Sequence, residues 1–137
     1  MKLLVTGSRT IQSAHAIEFV NTVLDELHAS SPVTVLISGN AEGIDRIAEQ
    51  WADARKIPIE TFKPAWHIYG RGAGVVRNAE MIETADKVIA FWNGTSKGTR
   101  NAIDIAMRKD KLLSTHLVQT AMSRSTAPRP GRPISSK

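Results

Sequence analysis

At 137 residues, 42% hydrophobic and 23% charged, the chain is the size of one typical domain and argues for a single core rather than two. It has no cysteine, which excludes a disulfide framework and a thiolate metal site, and no apolar run approaches membrane-spanning length. The net charge of +5 is concentrated in residues 119–137, where Arg124, Arg129, Arg132 and Lys137 stand with no acid; the rest carries 14 basic and 13 acidic groups, too even a balance for the broad basic face that duplex DNA requires.

The opening run, residues 3–5, is apolar and ends at once in Gly7-Ser8-Arg9, so it reads as a first strand and is too short for a secretory signal. Residues 12–29 place Ile17, Val20, Leu24, Leu27 and His28 at helical spacing. The β-branched run at 33–37 predicts a second strand, leading into Ser38-Gly39 and then Gly43-Ile44-Asp45. A second helix over 42–55 carries Ile44, Ile47, Ala48, Trp51 and Ala52 on one stripe. After a strand at 57–62 comes an irregular stretch, Trp66 to Gly74, which opens a helix over 74–84 bearing Arg77 and Asn78. The strand at 87–92 ends in a fourth glycine-bearing loop with Gly94, Ser96, Gly98 and Thr99, followed by a helix over 98–109 and a last strand at 112–118.

This βαβαβαβαβ order predicts an α/β fold: a single Rossmann-like (Rossmannoid) domain over 1–118, with a parallel sheet of about five strands and helices on both faces. The Pro- and Ser-rich segment 119–137 reads as a basic, disordered tail. In such sheets ligands bind beyond the carboxyl ends of the strands, where all of the glycine-bearing loops fall. Glycine admits a close-approaching ligand, and a following helix offers free N–H groups to an anion. No Gly-x-Gly-x-x-Gly follows the first strand and no Gly-x-x-x-x-Gly-Lys-Ser/Thr occurs, which argues against a dinucleotide fingerprint and a Walker loop.

The candidate ligand-binding residues are Gly7, Ser8, Arg9, Ser38, Gly39, Gly43, Asp45, Arg77, Asn78, Ser96, Gly98 and Thr99. Arginine's planar fork suits phosphate oxygens, whereas the hydroxyl residues could equally cap helices. Asp45 could cap its helix or reach a ribose hydroxyl. Trp66 is the candidate for stacking on a base. The four histidines show no metal-ligand spacing, so neither a metal nor a cofactor is expected.

Gly7-Ser8-Arg9, Ser38-Gly39 with Gly43-x-Asp45, Arg77-Asn78-x-x-Met81 and Phe91-Trp92-x-Gly94-x-Ser96-x-Gly98-Thr99 together resemble the SLOG superfamily, in its YspA-type, cpYpsA-related branch. That resemblance covers about residues 1–118 and implies a Rossmannoid domain for nucleotides or nucleotide-derived ligands. The superfamily includes the LOG phosphoribohydrolases and DprA-type DNA-binding proteins. Arg77 matches the arginine of the LOG Arg-Lys-x-x-Met motif, with Asn78 in the lysine's place, and Gly98-Thr99 match the Gly-Thr of the glycine-rich motif. The catalytic glutamate of that motif falls on Ala102. Ribosyl cleavage needs a carboxylate beside an oxocarbenium-like centre, so the match implies sensing or sequestering of a nucleotide. The alternatives are N-glycosidic bond hydrolysis or transfer on nucleoside monophosphates, with Arg77 and Asp45 as catalytic candidates, and a DprA-like DNA-binding module. The expected partner is a nucleotide-derived small molecule. Nucleic acid is not expected on the body, although the tail could bind it weakly, and no membrane partner is expected. The location is expected to be cytoplasmic. A homo-oligomer is expected, formed through Ile17, Val20 and Leu24 or through the fourth long helix.

Overall fold

The structure, a computed structural model, describes residues 1–119, so the tail read over 119–137 lies outside the described residues from 120 onward. Five parallel strands form one sheet in the order β3-β2-β1-β4-β5: β1 (Lys2–Gly7), β2 (Val35–Ser38), β3 (Ile59–Thr61), β4 (Lys87–Trp92) and β5 (Leu112–Leu117). The chain builds outward from β1 to β3, then crosses back to lay β4 on the other side of β1. That reversal between β1 and β4 is the switch point of a doubly wound sheet.

Because β1 is central, both of its faces are covered, which is why it reads as an uninterrupted apolar run and not an alternating one. Leu3 and Val5 point into one core, with Val20 and Leu24 of α1 (Ala14–Ser30) and Ile47 and Trp51 of α2 (Ile44–Ala54). Leu4 points into the other, with Met81 and Ile82 of α4 (Ala73–Thr84) and Ala102 and Ala106 of α5 (Lys97–Arg108). Full burial of such side chains contributes about 1.5–3 kcal/mol each, so the sheet is clamped from both sides. Helix α1 starts at Ser13, whose Oγ accepts the Ala16 N–H at 3.1 Å. Trp51 is buried with its Nε1–H satisfied by Asp25 at 2.9 Å, and Arg55 pairs with the same carboxylate at 2.6 Å.

Two expectations change. The third strand is only Ile59–Thr61, and the stretch after it forms a four-residue helix, α3 (Trp66–Tyr69), continued by a 3-10 turn over Gly70–Gly72. Neither element buries a residue, so no apolar periodicity announced them. The stripe offered for self-association also moves: Val20 and Leu24 are 0% exposed and Ile17 packs beside them, so this surface belongs to the protomer's own core.

Candidate functional site

A cleft of about 520 Å³ opens beyond the carboxyl ends of β1 and β4, at the switch point. Its size is within the range of small-molecule sites. Gly7, Arg9, Asp45, Trp66, Arg77, Asn78, Ser96, Gly98 and Thr99 line it, so nine of the residues singled out from the sequence converge there.

The remaining four, Ser8, Ser38, Gly39 and Gly43, shape the walls from behind. Ser8 is buried, and its Oγ accepts the Asn93 N–H at 2.9 Å, tying the β1 loop to the β4 loop. Ser38 is buried as well; its Oγ donates to Glu49 at 2.7 Å and accepts the Asn40 N–H at 3.0 Å. Gly43, at φ +77°, presses against the backbone of Ser8 and Arg9, where a Cβ would collide with both carbonyl oxygens. The Gly39 carbonyl accepts a hydrogen bond from Arg77 Nη1 at 3.2 Å, which anchors the guanidinium to the β2 loop. Among the described residues Arg77 Nε is buried without a partner, a donor whose desolvation they leave uncompensated.

Asp45 sits in the first turn of α2, 6% exposed, and its Oδ2 accepts the Ala41 N–H at 3.1 Å. Burial pushes its carboxyl up to about 6, and Glu49 adds to that push; the Ala41 N–H, Arg77 and Arg9 pull the other way without overcoming it. For Arg77, burial lowers the guanidinium from its ordinary value, Asp45 opposes the shift and Arg9 reinforces it.

Helix α5 begins at the far wall. Ser96 Oγ caps it by accepting the Thr99 N–H at 3.4 Å and lies 3.1 Å from Thr99 Oγ1. The first-turn N–H groups of Lys97 and Gly98 have no intrahelical acceptor, and a Cβ at Gly98 would meet nothing, so this helix end is bare toward the cleft. Asn78 is buried and donates to the Gly98 carbonyl at 3.2 Å and to Asn101 Oδ1 at 3.0 Å, which fixes Asn101 with its amide donors uncommitted to Asn78. Trp66 is 57% exposed at the rim.

The sequence reading missed Thr10, Asn93 and Asn101, which also line the cleft. Asn93 is a loop organiser, accepting the Thr95 and Ser96 N–H groups at 2.8 and 2.9 Å and donating to Thr10 at 3.2 Å; the sequence signal for it was its place as the first polar residue after β4. Ala102, where the LOG glutamate would fall, is 0% exposed within the second core, and Asp104 faces solvent. Among the described residues Asp45 is the one carboxylate lining the cleft. Among the described residues no group of three or more His, Cys, Asp or Glu side chains could hold a metal, and no helix is long and apolar enough to cross a membrane.

The fold and cleft define a Rossmann-like parallel α/β protein with its polar loops gathered at the switch in strand order. The family model for the YspA, cpYpsA-related SLOG family matches residues 1–69, and the Gene 61 protein of Mycobacterium phage D29 is 34% identical over 113 residues, covering 78% of this chain and 89% of the phage protein. The chain belongs to that SLOG family. Its fold is similar to that of DNA processing protein A from Helicobacter pylori, whose structure was described for a single-stranded DNA binding mode, with a TM-score of 0.64, 20% identity and 83% of this chain covered. The chain spans 64% of that protein's chain.

Proposed function

We propose that the protein binds a nucleotide or nucleotide-derived ligand in the switch-point cleft and holds it without cleaving it. The observation that carries this reading is the convergence of Arg9, Arg77 and the bare first turn of α5 on one cleft of about 520 Å³. Guanidinium forks and free helix N–H groups are both suited to phosphate oxygens, and Trp66 at the rim offers a face to the base. A core alanine at position 102 supports holding over cutting. Incubation with a panel of nucleoside monophosphates should raise the melting temperature and leave each nucleotide intact by chromatography. Free base accumulating over time would instead support N-glycosidic cleavage with Asp45 as the carboxylate.

Single-stranded DNA is the second reading, favoured by the similarity to DNA processing protein A and by four cations, Arg9, Arg71, Arg77 and Lys97, along one cleft. It weakens the expectation that the body of the protein avoids nucleic acid. Binding of an oligonucleotide that falls steeply with salt and survives removal of residues 119–137 would support it; loss with the tail would assign the contact there. Self-association, if it occurs, has the outer face of α5 available, where Met107 is 61% exposed, and light scattering on the purified protein reads it directly.

A further inference from the structure

The charge arrangement inside the cleft says how an anion would be held there, an inference that rests on the nucleotide reading. Asp45 faces Arg9 from the β1 loop and Arg77 from α4, yet it forms no ion pair with either among the described residues. Arg77 turns Nη1 to the Gly39 carbonyl instead, and its Nε is unpartnered. Behind Asp45 on α2 lies Glu49, paired with Arg46 at 3.5 Å, while Glu42 meets the same Arg46 on the exposed side at 3.3 Å. Arg71 of the 3-10 turn and Lys97 of α5 are the remaining charges on the cleft wall.

An anion seated between Arg9 and Arg77 stands beside Asp45. With Asp45 ionised, two negative charges lie side by side in the cleft and repel each other. With Asp45 neutral, its O–H becomes a donor to an anion oxygen and the repulsion between the two negative charges is gone. Burial has already lifted this carboxyl to about 6, so about a tenth of the unliganded molecules carry the proton at neutral pH. We infer that Asp45 joins the anion site as a neutral carboxylic acid, so that seating an anion between Arg9 and Arg77 draws one proton from solution onto Asp45. The proton comes from buffer, forms an O–H bond on the carboxyl, and returns to buffer when the anion leaves.

The test is isothermal titration calorimetry of the full chain with adenosine 5′-sulfate, whose charge is constant from about pH 5.5 to about pH 8.5, unlike a phosphate monoester with its second ionisation near 6. Repeating the titration in buffers of different ionisation heat counts the protons taken up. At about pH 8 the wild type should take up close to one proton per ligand, and its affinity should fall about tenfold per pH unit above about 7. Asp45→Asn should take up none and should bind at about pH 8 as the wild type does at about pH 5.5. Binding without proton uptake, at one affinity throughout, overturns the role of Asp45 and leaves the nucleotide reading standing. No binding by either protein at any pH overturns both. The wild-type proton count decides the matter even if the variant fails to fold.

Discussion

Arg77 and Asp45 meet over Gly39 without pairing: Arg77 Nη1 lies 2.9 Å, and Asp45 Oδ2 3.0 Å, from the point where a Cβ on Gly39 would stand. The absent side chain is what lets a guanidinium from α4 and a carboxylate from α2 approach the same stretch of the β2 loop. Gly39→Ala would therefore press on both functional groups. Since the Arg77 contact is with the mobile end of a long side chain, the melting temperature should drop by only a few degrees, consistent with about 1 kcal/mol. Nucleotide affinity should fall about tenfold, because the guanidinium must leave its place. A calorimetric titration beside a thermal scan separates the two effects.

Removing the arginine itself makes a stronger demand. Arg77→Met leaves the Gly39 carbonyl without its donor and takes a charged fork from the cleft, so the dissociation constant for a nucleoside monophosphate should rise about ten- to a hundredfold, as for loss of a charge-assisted hydrogen bond of about 1.5–3 kcal/mol. Arg77→Lys restores the charge but not the planar pair of donors and should recover only part of that loss. Equal binding by all three proteins would remove Arg77 from the site.

Gly43 and Gly98 look alike in sequence and should behave oppositely. Gly43, at φ +77°, has no room for a Cβ against the carbonyls of Ser8 and Arg9, so Gly43→Ala should destabilise the fold by about 2 kcal/mol or more and lower the denaturant midpoint. Gly98 lies inside α5 with open space around it, so Gly98→Ala should leave stability unchanged or raise it by up to about 1 kcal/mol. Gly98→Leu should preserve the fold and block the ligand, seen as a lost thermal shift with nucleotide.

That pair also marks where sequence reasoning stops. The order of strands and helices was legible because β1 and β4 are continuous apolar runs and α2 carries Ile47, Ala48 and Trp51 on one stripe, patterns that burial imposes directly. The cleft was legible in outline, since its loops follow strand ends. What each loop residue does there was not. Whether Ser8 faces a ligand or braces two loops depends on how β1 and β4, 80-odd residues apart in the chain, lie side by side, with Ser8 Oγ meeting Asn93 at a sequence separation of 85, and Ser38 turns to Glu49 because α2 packs back on β2. Asn101 escaped notice for the same reason, being placed by Asn78 across a separation of 23. Helix α3 left no pattern because nothing on it is buried.

Asp45 should also leave a signature in stability against pH, with a direction opposite to that of an ordinary surface carboxylate. Its carboxyl titrates at about 6 in the folded protein and near 3.8 in the unfolded chain, so the native state holds the proton more tightly. Below about 3.8 both states are protonated and Asp45 adds no penalty. As pH rises from there to about 6, the unfolded chain gains from ionising its exposed carboxyl while the folded one resists. The penalty is complete above about 6, at about 3 kcal/mol for a carboxyl raised from 3.8 to about 6. Asp45→Asn keeps an oxygen for the Ala41 N–H and has nothing to titrate. The difference in unfolding free energy between variant and wild type should therefore grow in the variant's favour from about pH 4 to about pH 6 and then level off, measured by urea denaturation at fixed ionic strength. Taking the difference cancels the other carboxylates, which both proteins share. Parallel curves would mean that Asp45 titrates in the native cleft as it does in the unfolded chain, and the burial-raised carboxyl would fail.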